Sequence, residues 1–208
     1  MHHSNCSNPA DCWCEVRRLL TVLLVTLAIL VLEVIGGLVS GSLALLADAG
    51  HVFVDNAAVS VAILTAILVK RRFNRNRVRT FGLQTNIVLL WSIVLWILIE
   101  AYERFNEPES IKGWVMITVA ALGGLGNLLQ HRILEESPLE HKHEVHESLR
   151  IHVLSDLIQS GGVVVGSVLI LLTGRVIIDP ILSVVIAAWI AIQTVKLMQA
   201  SSNPTNPH

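Results

Sequence analysis

Residues 47–55 read ADAGHVFVD, so that three ionisable side chains, Asp48, His51 and Asp55, lie among apolar or small residues. Residues 57–69, a little further along the chain, carry no charge. A membrane-spanning helix needs about 20 mostly apolar residues, and this part of the chain supplies them. The stretch therefore predicts a helix that crosses a membrane and carries polar groups within it.

The phrase His-Val-x-x-Asp occurs a second time in residues 151–156, which read IHVLSD. Side chains four residues apart lie on one face of a helix, one turn above the other. Each pair, His51 with Asp55 and His152 with Asp156, can therefore direct one imidazole nitrogen and one carboxylate oxygen to a single point. A charge in the middle of a bilayer costs about 2.5–3.5 kcal/mol on insertion scales, so these embedded groups indicate a function.

The four side chains together predict a metal site between two helices. Two nitrogens and two oxygens suit a tetrahedral zinc ion, and two carboxylates balance its charge. Imidazole selects zinc, cobalt, nickel, copper or cadmium over magnesium and calcium. Zinc is the predicted metal, with cadmium and cobalt open. The alternative is that each pair is a packing contact in which His donates to Asp across one turn.

Composition predicts an integral membrane protein for the chain as a whole. Of its 208 residues, 53% are hydrophobic and 15% are charged, whereas a soluble domain carries about 25% charged residues. Further uncharged stretches occupy residues 19–32, 87–99, 113–129 and 163–172. The net charge of -1 gives no basic field that would attract nucleic acid. We expect a first span rather than a cleaved signal peptide, because the first apolar run is too long.

Turn-forming and charged residues divide the chain into six predicted helices, which makes the fold class all-α. Their predicted bounds are about 16–40, 43–71, 80–105, 111–134, 144–173 and 177–199. Residues 70–79 contain six Lys or Arg, and the positive-inside rule then places both termini in the cytoplasm. The predicted domains are a polar tail at 1–15, a transmembrane domain at 16–199 and a polar tail at 200–208. The predicted location is a bacterial inner membrane.

Two more embedded carboxylates have roles that the sequence leaves open. Asp48 lies one turn before His51 and either lines the approach to the metal, shuttles protons or caps the start of a helix. Glu33 lies among apolar residues late in the first helix and is predicted to face the same cavity. Both are candidates for an accessory or proton-conducting role.

The remaining embedded polar residues are predicted to be structural. Asn127, Gln159 and Ser160 are expected to form hydrogen bonds between helices, the common use of polar residues in membranes. Asp179 comes directly before Pro180, and this order is typical of an N-cap and a first helical position. We therefore expect Asp179 to cap the sixth helix.

Two polar tracts contain further soft metal ligands. The N-terminal tail contains Cys6, Cys12 and Cys14, whose spacing does not match a structural zinc site. It is either a metal-capture segment or a disordered tail. The fourth connection contains His141, His143 and His146 among glutamates, and such a tract can hold metal weakly. The alternative there is a solvated acidic loop.

These residues resemble the cation diffusion facilitators, a family that includes zinc transporters. Residues 36–55, GGLVSGSLALLADAGHVFVD, look like the family's signature for the first and second helices. Residues 152–161 look like its fifth-helix signature. Shorter phrases at 81–82, 100–105 and 179–180 fall where the family has similar ones. The resemblance covers about residues 16–199.

The resemblance implies a secondary transporter rather than an enzyme. It implies six membrane helices, a homodimer, and export of zinc or a similar ion in exchange for protons, with no permanent cofactor. It also implies that the two His/Asp pairs form the transport site. Family members usually continue into a cytoplasmic domain. This chain stops at His208, so we expect either that it lacks the domain naturally or that it was cut.

Proton exchange also has a basis in the ligands themselves. Metal binding requires neutral imidazole and ionised carboxylate, and an ordinary imidazole has a pKa of about 6.5. Protons would therefore compete with metal. Rival interpretations are a bis-His haem electron carrier, an intramembrane metalloenzyme, and a membrane metal sensor or assembly partner that does not transport.

Overall fold

The computed structural model describes residues 13–70, 75–135 and 144–202, and it confirms the all-α prediction with six helices. They are α1 (Trp13–Ser40), α2 (Leu43–Lys70), α3 (Arg75–Asn106), α4 (Gly113–Glu135), α5 (Glu144–Thr173) and α6 (Ile178–Ser202). Five of them, all except α2, are long and apolar enough in their described parts to cross a membrane. In α2 the apolar segment found among the described residues is Leu43–Val54.

The predicted helix bounds agree with the structure within three residues at every end but one. The exception is α3, which begins at Arg75 instead of residue 80. The basic charge of residues 75–79 predicts a connection. Arginine is nevertheless a good helix former, so the helix continues through this stretch.

Apolar side chains cover the outside of the described spans. Leu24 on α1, Leu172 on α5 and Val185 on α6 are all at least 60% exposed. In a soluble protein, contiguous apolar patches of this extent are rare, whereas lipid tails solvate them. Together with the length of the helices, this surface makes the chain a multi-pass membrane protein.

Helices α1, α2, α4 and α5 surround a group of buried ionisable residues, Glu33, Asp48, His51 and Asp156. Helix α1 packs against α2 and α4, and α5 packs against α4 and faces α2. Helices α3 and α6 pack against each other and against α2. The close approach of α1 and α4 depends on small residues: a Cβ at Gly126 would lie 2.7 Å from Ile29 Cδ1. Such contacts are typical of membrane helices, which gain packing rather than hydrophobic energy from each other.

The start of α2 is capped by α6. Asp179 Oδ2 accepts a hydrogen bond from Leu43 N at 2.7 Å, and Oδ1 accepts one from Ala44 N at 3.2 Å. Ser42 Oγ donates to Oδ1 at 2.6 Å and accepts from Leu45 N at 3.2 Å, as an N-cap serine does. The prediction that Asp179 caps α6 is therefore wrong, since that helix already begins at Ile178 and the carboxylate binds the start of α2.

A buried arginine joins the same end of the bundle. Arg104 Nε donates to Glu100 Oε1 at 3.0 Å, and Arg104 Nη2 lies 3.3 Å from Glu109 Oε2. Arg104 Nη1 donates to the carbonyl of Gly41 and lies 3.7 Å from Asp179 Oδ2. This Arg104 network links α3, the α3–α4 connection, the α1–α2 connection and α6. Sequence analysis missed it, although the spacing of Glu100 and Arg104, four residues on one helix, is a signal for an ion pair.

Candidate metal site

The two copies of the repeated motif meet between α2 and α5. His51 Nε2 lies 4.0 Å from Asp156 Oδ1. Both residues are buried, with His51 6% and Asp156 4% exposed. One comes from each copy, so the helices bring the motifs together although about 100 residues of sequence separate them.

A second contact lies one turn away between the same helices. The Ser160 hydroxyl hydrogen-bonds to the Asp48 carboxylate, and Asn127 Nδ2 of α4 donates to Ser160 Oγ at 3.1 Å. All three residues are buried. The prediction of interhelical hydrogen bonds is confirmed for Asn127 and Ser160. Asp48 is the sixth residue of α2, whose start is capped by other groups, so the helix-cap interpretation of Asp48 is wrong.

Gln159 does not behave as predicted. It is buried, but neither its Nε2 nor its Oε1 has a hydrogen-bond partner within the described parts of the chain. Leaving a buried polar atom unpaired costs about 1–3 kcal/mol. The prediction of an interhelical hydrogen bond at this position is wrong, because Ser160, its neighbour, occupies the position that faces α2 and α4.

The two contacts define how α2 and α5 face each other. Asp48 is opposite Ser160 and His51 is opposite Asp156, so a higher number on α2 pairs with a lower number on α5. The helices are therefore antiparallel. One further turn along each helix leads to positions 55 and 152, the other two predicted ligands. The side chains of Asp55 and His152 lie outside the described ones, so their part in the site stays a prediction.

Glu33 brings a third carboxylate to this region from α1. It is 1% exposed, and it interacts electrostatically with Asp48 and Asp156. Its Oε1 would lie 2.8 Å from a Cβ at Gly123 of α4, so the glycine leaves the room that the carboxylate occupies. Its Oε2 has no hydrogen-bond partner among the described residues. The expectation that Glu33 is turned inward agrees with this burial.

The His51 and Asp156 side chains face each other without a direct hydrogen bond between Nε2 and Oδ1. At 4.0 Å the two atoms are beyond hydrogen-bonding distance of each other. Two ligands of one tetrahedral zinc ion, at about 2.0–2.2 Å from the metal, are about 3.4 Å apart. A movement of about half an ångström would close the difference. Within the described side chains no three His, Cys, Asp or Glu are grouped to hold a metal ion, and two of the predicted ligands are outside that set.

The two other predicted metal-binding tracts lie outside the description. His141 and His143 fall in residues 136–143, and Cys6 and Cys12 fall in residues 1–12. The side chains of His146 and Cys14 are also outside the described ones. A weak metal-collecting role for either tract stays a prediction.

Comparison with known proteins adds a family and named relatives. A family model described as the cation efflux transmembrane domain matches residues 19–202. Zinc transporter ZitB of Escherichia coli is 36% identical over 196 residues, which are 91% of this chain and 62% of the relative. The metal cation efflux system protein CzcD of Cupriavidus metallidurans is 34% identical over 198 residues, 90% of this chain and 60% of the relative.

A third relative is named for more than one metal and for its counter-ions. The cadmium, cobalt and zinc/H(+)-K(+) antiporter of Bacillus subtilis is 32% identical over 166 residues, 76% of this chain and 53% of the relative. Matches to these three proteins thus span between half and two thirds of the relatives' own length.

Proposed function

This chain belongs to the cation efflux family, and from that premise we propose that it carries a divalent transition-metal cation across a membrane, as a transporter and not an enzyme. Zinc is the proposed substrate, with cadmium and cobalt as alternatives. The observation that carries the proposal is the buried His51–Asp156 pair between α2 and α5, with its nitrogen and oxygen 4.0 Å apart. The names of the relatives, which include zinc, cadmium and cobalt, point the same way.

The proposed transport site consists of His51, Asp55, His152 and Asp156. The antiparallel register of α2 and α5 supports this set, because one turn beyond the His51–Asp156 pair leads to the other two positions. Two imidazoles favour zinc-like ions over magnesium and calcium. Two carboxylates neutralise the charge of the ion, which reduces the cost of burying it.

The proposed mechanism is exchange of the metal for protons. Binding of the metal requires the imidazoles to be neutral and the carboxylates to be ionised, so metal and protons compete for the same atoms. Exposing the site first to one side and then to the other would couple the two flows. The proposed direction of metal transport is outward, which the names of the family and of the relative CzcD, both for cation efflux, support.

Zinc flux into sealed proteoliposomes with an imposed pH gradient tests this proposal. We expect the native chain to carry zinc in a gradient-dependent way and Asp156→Asn to lower the rate at least about tenfold, since even outer-shell changes at metal sites cost 10–100-fold. Glu103→Gln is the matched control, because Glu103 is an exposed carboxylate at the end of α3. Zinc binding without flux in the folded native chain would overturn transport and favour a metal sensor.

A further inference from the structure

Glu33 and Asp48 are two buried carboxylates that are not ligands in the proposed transport site. They are 1% and 2% exposed. Among the described residues, the ion pairs formed by Lys or Arg are those of Arg104, and neither Glu33 nor Asp48 takes part in them. A buried carboxylate that is ionised is normally paired or bound to a metal, so a cation that enters this region would meet two carboxylates that no described Lys or Arg neutralises.

Glu33 and Ser160 lie against the same face of α4. Glu33 Oε1 is next to Gly123, and Ser160 binds Asn127, which is four residues later on that helix. Glu33 interacts electrostatically with Asp48 and with Asp156, although it comes from a different helix. Glu33 Oε2 is buried and lacks a hydrogen-bond partner in the described part of the chain. The missing Cβ of Gly123 provides the space in which this carboxylate lies.

The Asp48 carboxylate is held by a hydroxyl that is itself held by a third residue. Ser160 hydrogen-bonds to it from α5, and Asn127 of α4 fixes the Ser160 hydroxyl at 3.1 Å. A hydroxyl that accepts from an amide and donates to a carboxylate is fully oriented. The Ser160 hydroxyl and the Asp48 carboxylate are therefore oriented by hydrogen bonds before any ligand arrives.

We propose that Glu33, Asp48 and the Ser160 hydroxyl form a second cation subsite, made only of oxygen ligands, that binds a partly hydrated divalent cation. This proposal rests on the proposed function, because the subsite is the next position of the ion after the His/Asp site on the transport path. Asp48 is three residues before His51, which is about 4.5 Å along α2 toward the α1–α2 connection. In the predicted orientation this is the outward side, so the subsite lies on the exit path.

The choice of ligands explains how such a subsite would function. Sites made of carboxylates, hydroxyls and water suit magnesium and manganese, whereas imidazole suits zinc. A zinc ion would therefore be held more weakly here than at the His/Asp site, and a transit position must release its ion. Small hard cations keep several waters when one or two carboxylates bind them, so two carboxylates and a hydroxyl are enough protein ligands for such an ion.

Manganese is the probe that tests the subsite, because its free aqueous ion has an EPR signal that is lost on binding. The full chain is purified in lipid nanodiscs and titrated with Mn²⁺. We expect Glu33→Gln and Asp48→Asn each to bind one Mn²⁺ per chain fewer than the native protein. Glu103→Gln, at an exposed carboxylate, should match the native value. Metal held by the terminal tracts is the same in all four proteins and cancels in the comparison.

A second pair of variants tests the subsite without removing a charge. A Cβ at Gly123 would lie 2.8 Å from Glu33 Oε1, whereas one at Gly124 would lie 3.7 Å from Ser160 Cβ, an ordinary contact. We expect Gly123→Ala to weaken Mn²⁺ binding about tenfold and Gly124→Ala to leave it unchanged. If Glu33→Gln or Asp48→Asn fails to fold, the comparison of the two glycine variants decides whether the subsite exists.

Native Mn²⁺ binding in Glu33→Gln, Asp48→Asn and Gly123→Ala would overturn the subsite. The zinc flux assay reports on the proposed function separately. Normal zinc flux together with unchanged Mn²⁺ binding in these variants would leave the transporter standing without a second subsite. Loss of one Mn²⁺ in the variants of a chain that carries no zinc would support the subsite and contradict transport.

Discussion

At the residue scale, the sequence predicts that a carboxylate is buried. It does not predict which group that carboxylate contacts. Asp179 was recognised as a capping residue from the proline that follows it. The helix that it caps starts 136 residues earlier in the chain, and no local pattern contains that information. Glu33, in contrast, was recognised because an isolated acid in an apolar helix needs a buried partner or a ligand.

Replacement of Asp179 should destabilise the protein more than it affects the site. Asp179→Asn removes the charge that faces Arg104 and weakens the cap of α2. We expect a loss of about 2–4 kcal/mol in the free energy of unfolding, since cap removal costs about 0.5–2 kcal/mol and breaking a buried ion pair costs more. Denaturant titration in detergent measures it. Equal stability of Asp179→Asn and Glu103→Gln would show that the Arg104 network contributes nothing.

At the element scale, the contact between α1 and α4 depends on glycine. A Cβ at Gly36 would lie 2.5–2.9 Å from three atoms of Val119, a stiff β-branched side chain. We expect Gly36→Ala to lower stability by about 1–3 kcal/mol, the usual cost of overpacking.

The control for this variant is Gly162→Ala on α5, where a Cβ would have nothing within 4 Å. This change should be neutral or stabilise the protein by up to about 1 kcal/mol through helix propensity. Thermal unfolding of both variants in the same detergent gives the comparison. A Gly36→Ala protein as stable as Gly162→Ala would mean that α1 and α4 separate at no cost.

The register of α2 and α5 leads to a cross-linking prediction. In a chain whose native cysteines are replaced by serine, Asp55→Cys combined with His152→Cys should be joined by a short thiol cross-linker. Asp55→Cys combined with Ser160→Cys should not, since two helical turns of α5 separate position 160 from position 152. The readout is mass spectrometry of the intact chain. Cross-linking of the second pair in preference to the first would disprove the antiparallel register.

Helix number, all but one of the helix bounds and the meeting of the two motifs can be predicted from the sequence. The length of apolar runs determines how many spans there are, and an unusual charge in two spans indicates that they face each other. The start of α3 could not be predicted, because the charge of residues 75–79 favours a connection while the helix propensity of arginine favours a helix. The lack of a hydrogen-bond partner for Gln159 could not be predicted either, since adjacent residues on a helix face different directions.

At the scale of the whole molecule, the orientation in the membrane is the prediction that determines which side of the bilayer the proposed second subsite faces. A membrane-impermeant thiol reagent added to intact cells should label Glu107→Cys, in the exposed α3–α4 connection, in a chain without native cysteines. Gln199→Cys, near the end of α6, should be labelled only after the cells are opened. The reverse pattern would place both termini outside and make the proposed exit path an entry path. The homodimer that the family resemblance implies stays a prediction.

The cap that α6 provides for α2 has a consequence for biosynthesis. Leu43 and Asp179 are 136 residues apart, and ribosomes add about 5–20 residues per second. For about 7–27 s, then, the beginning of the second span waits in the bilayer with amide protons that only the last span can satisfy. We expect chaperones or lipid headgroups to shield those amides during that interval, and a nascent chain halted before the sixth span to be recognised by quality control as unfinished.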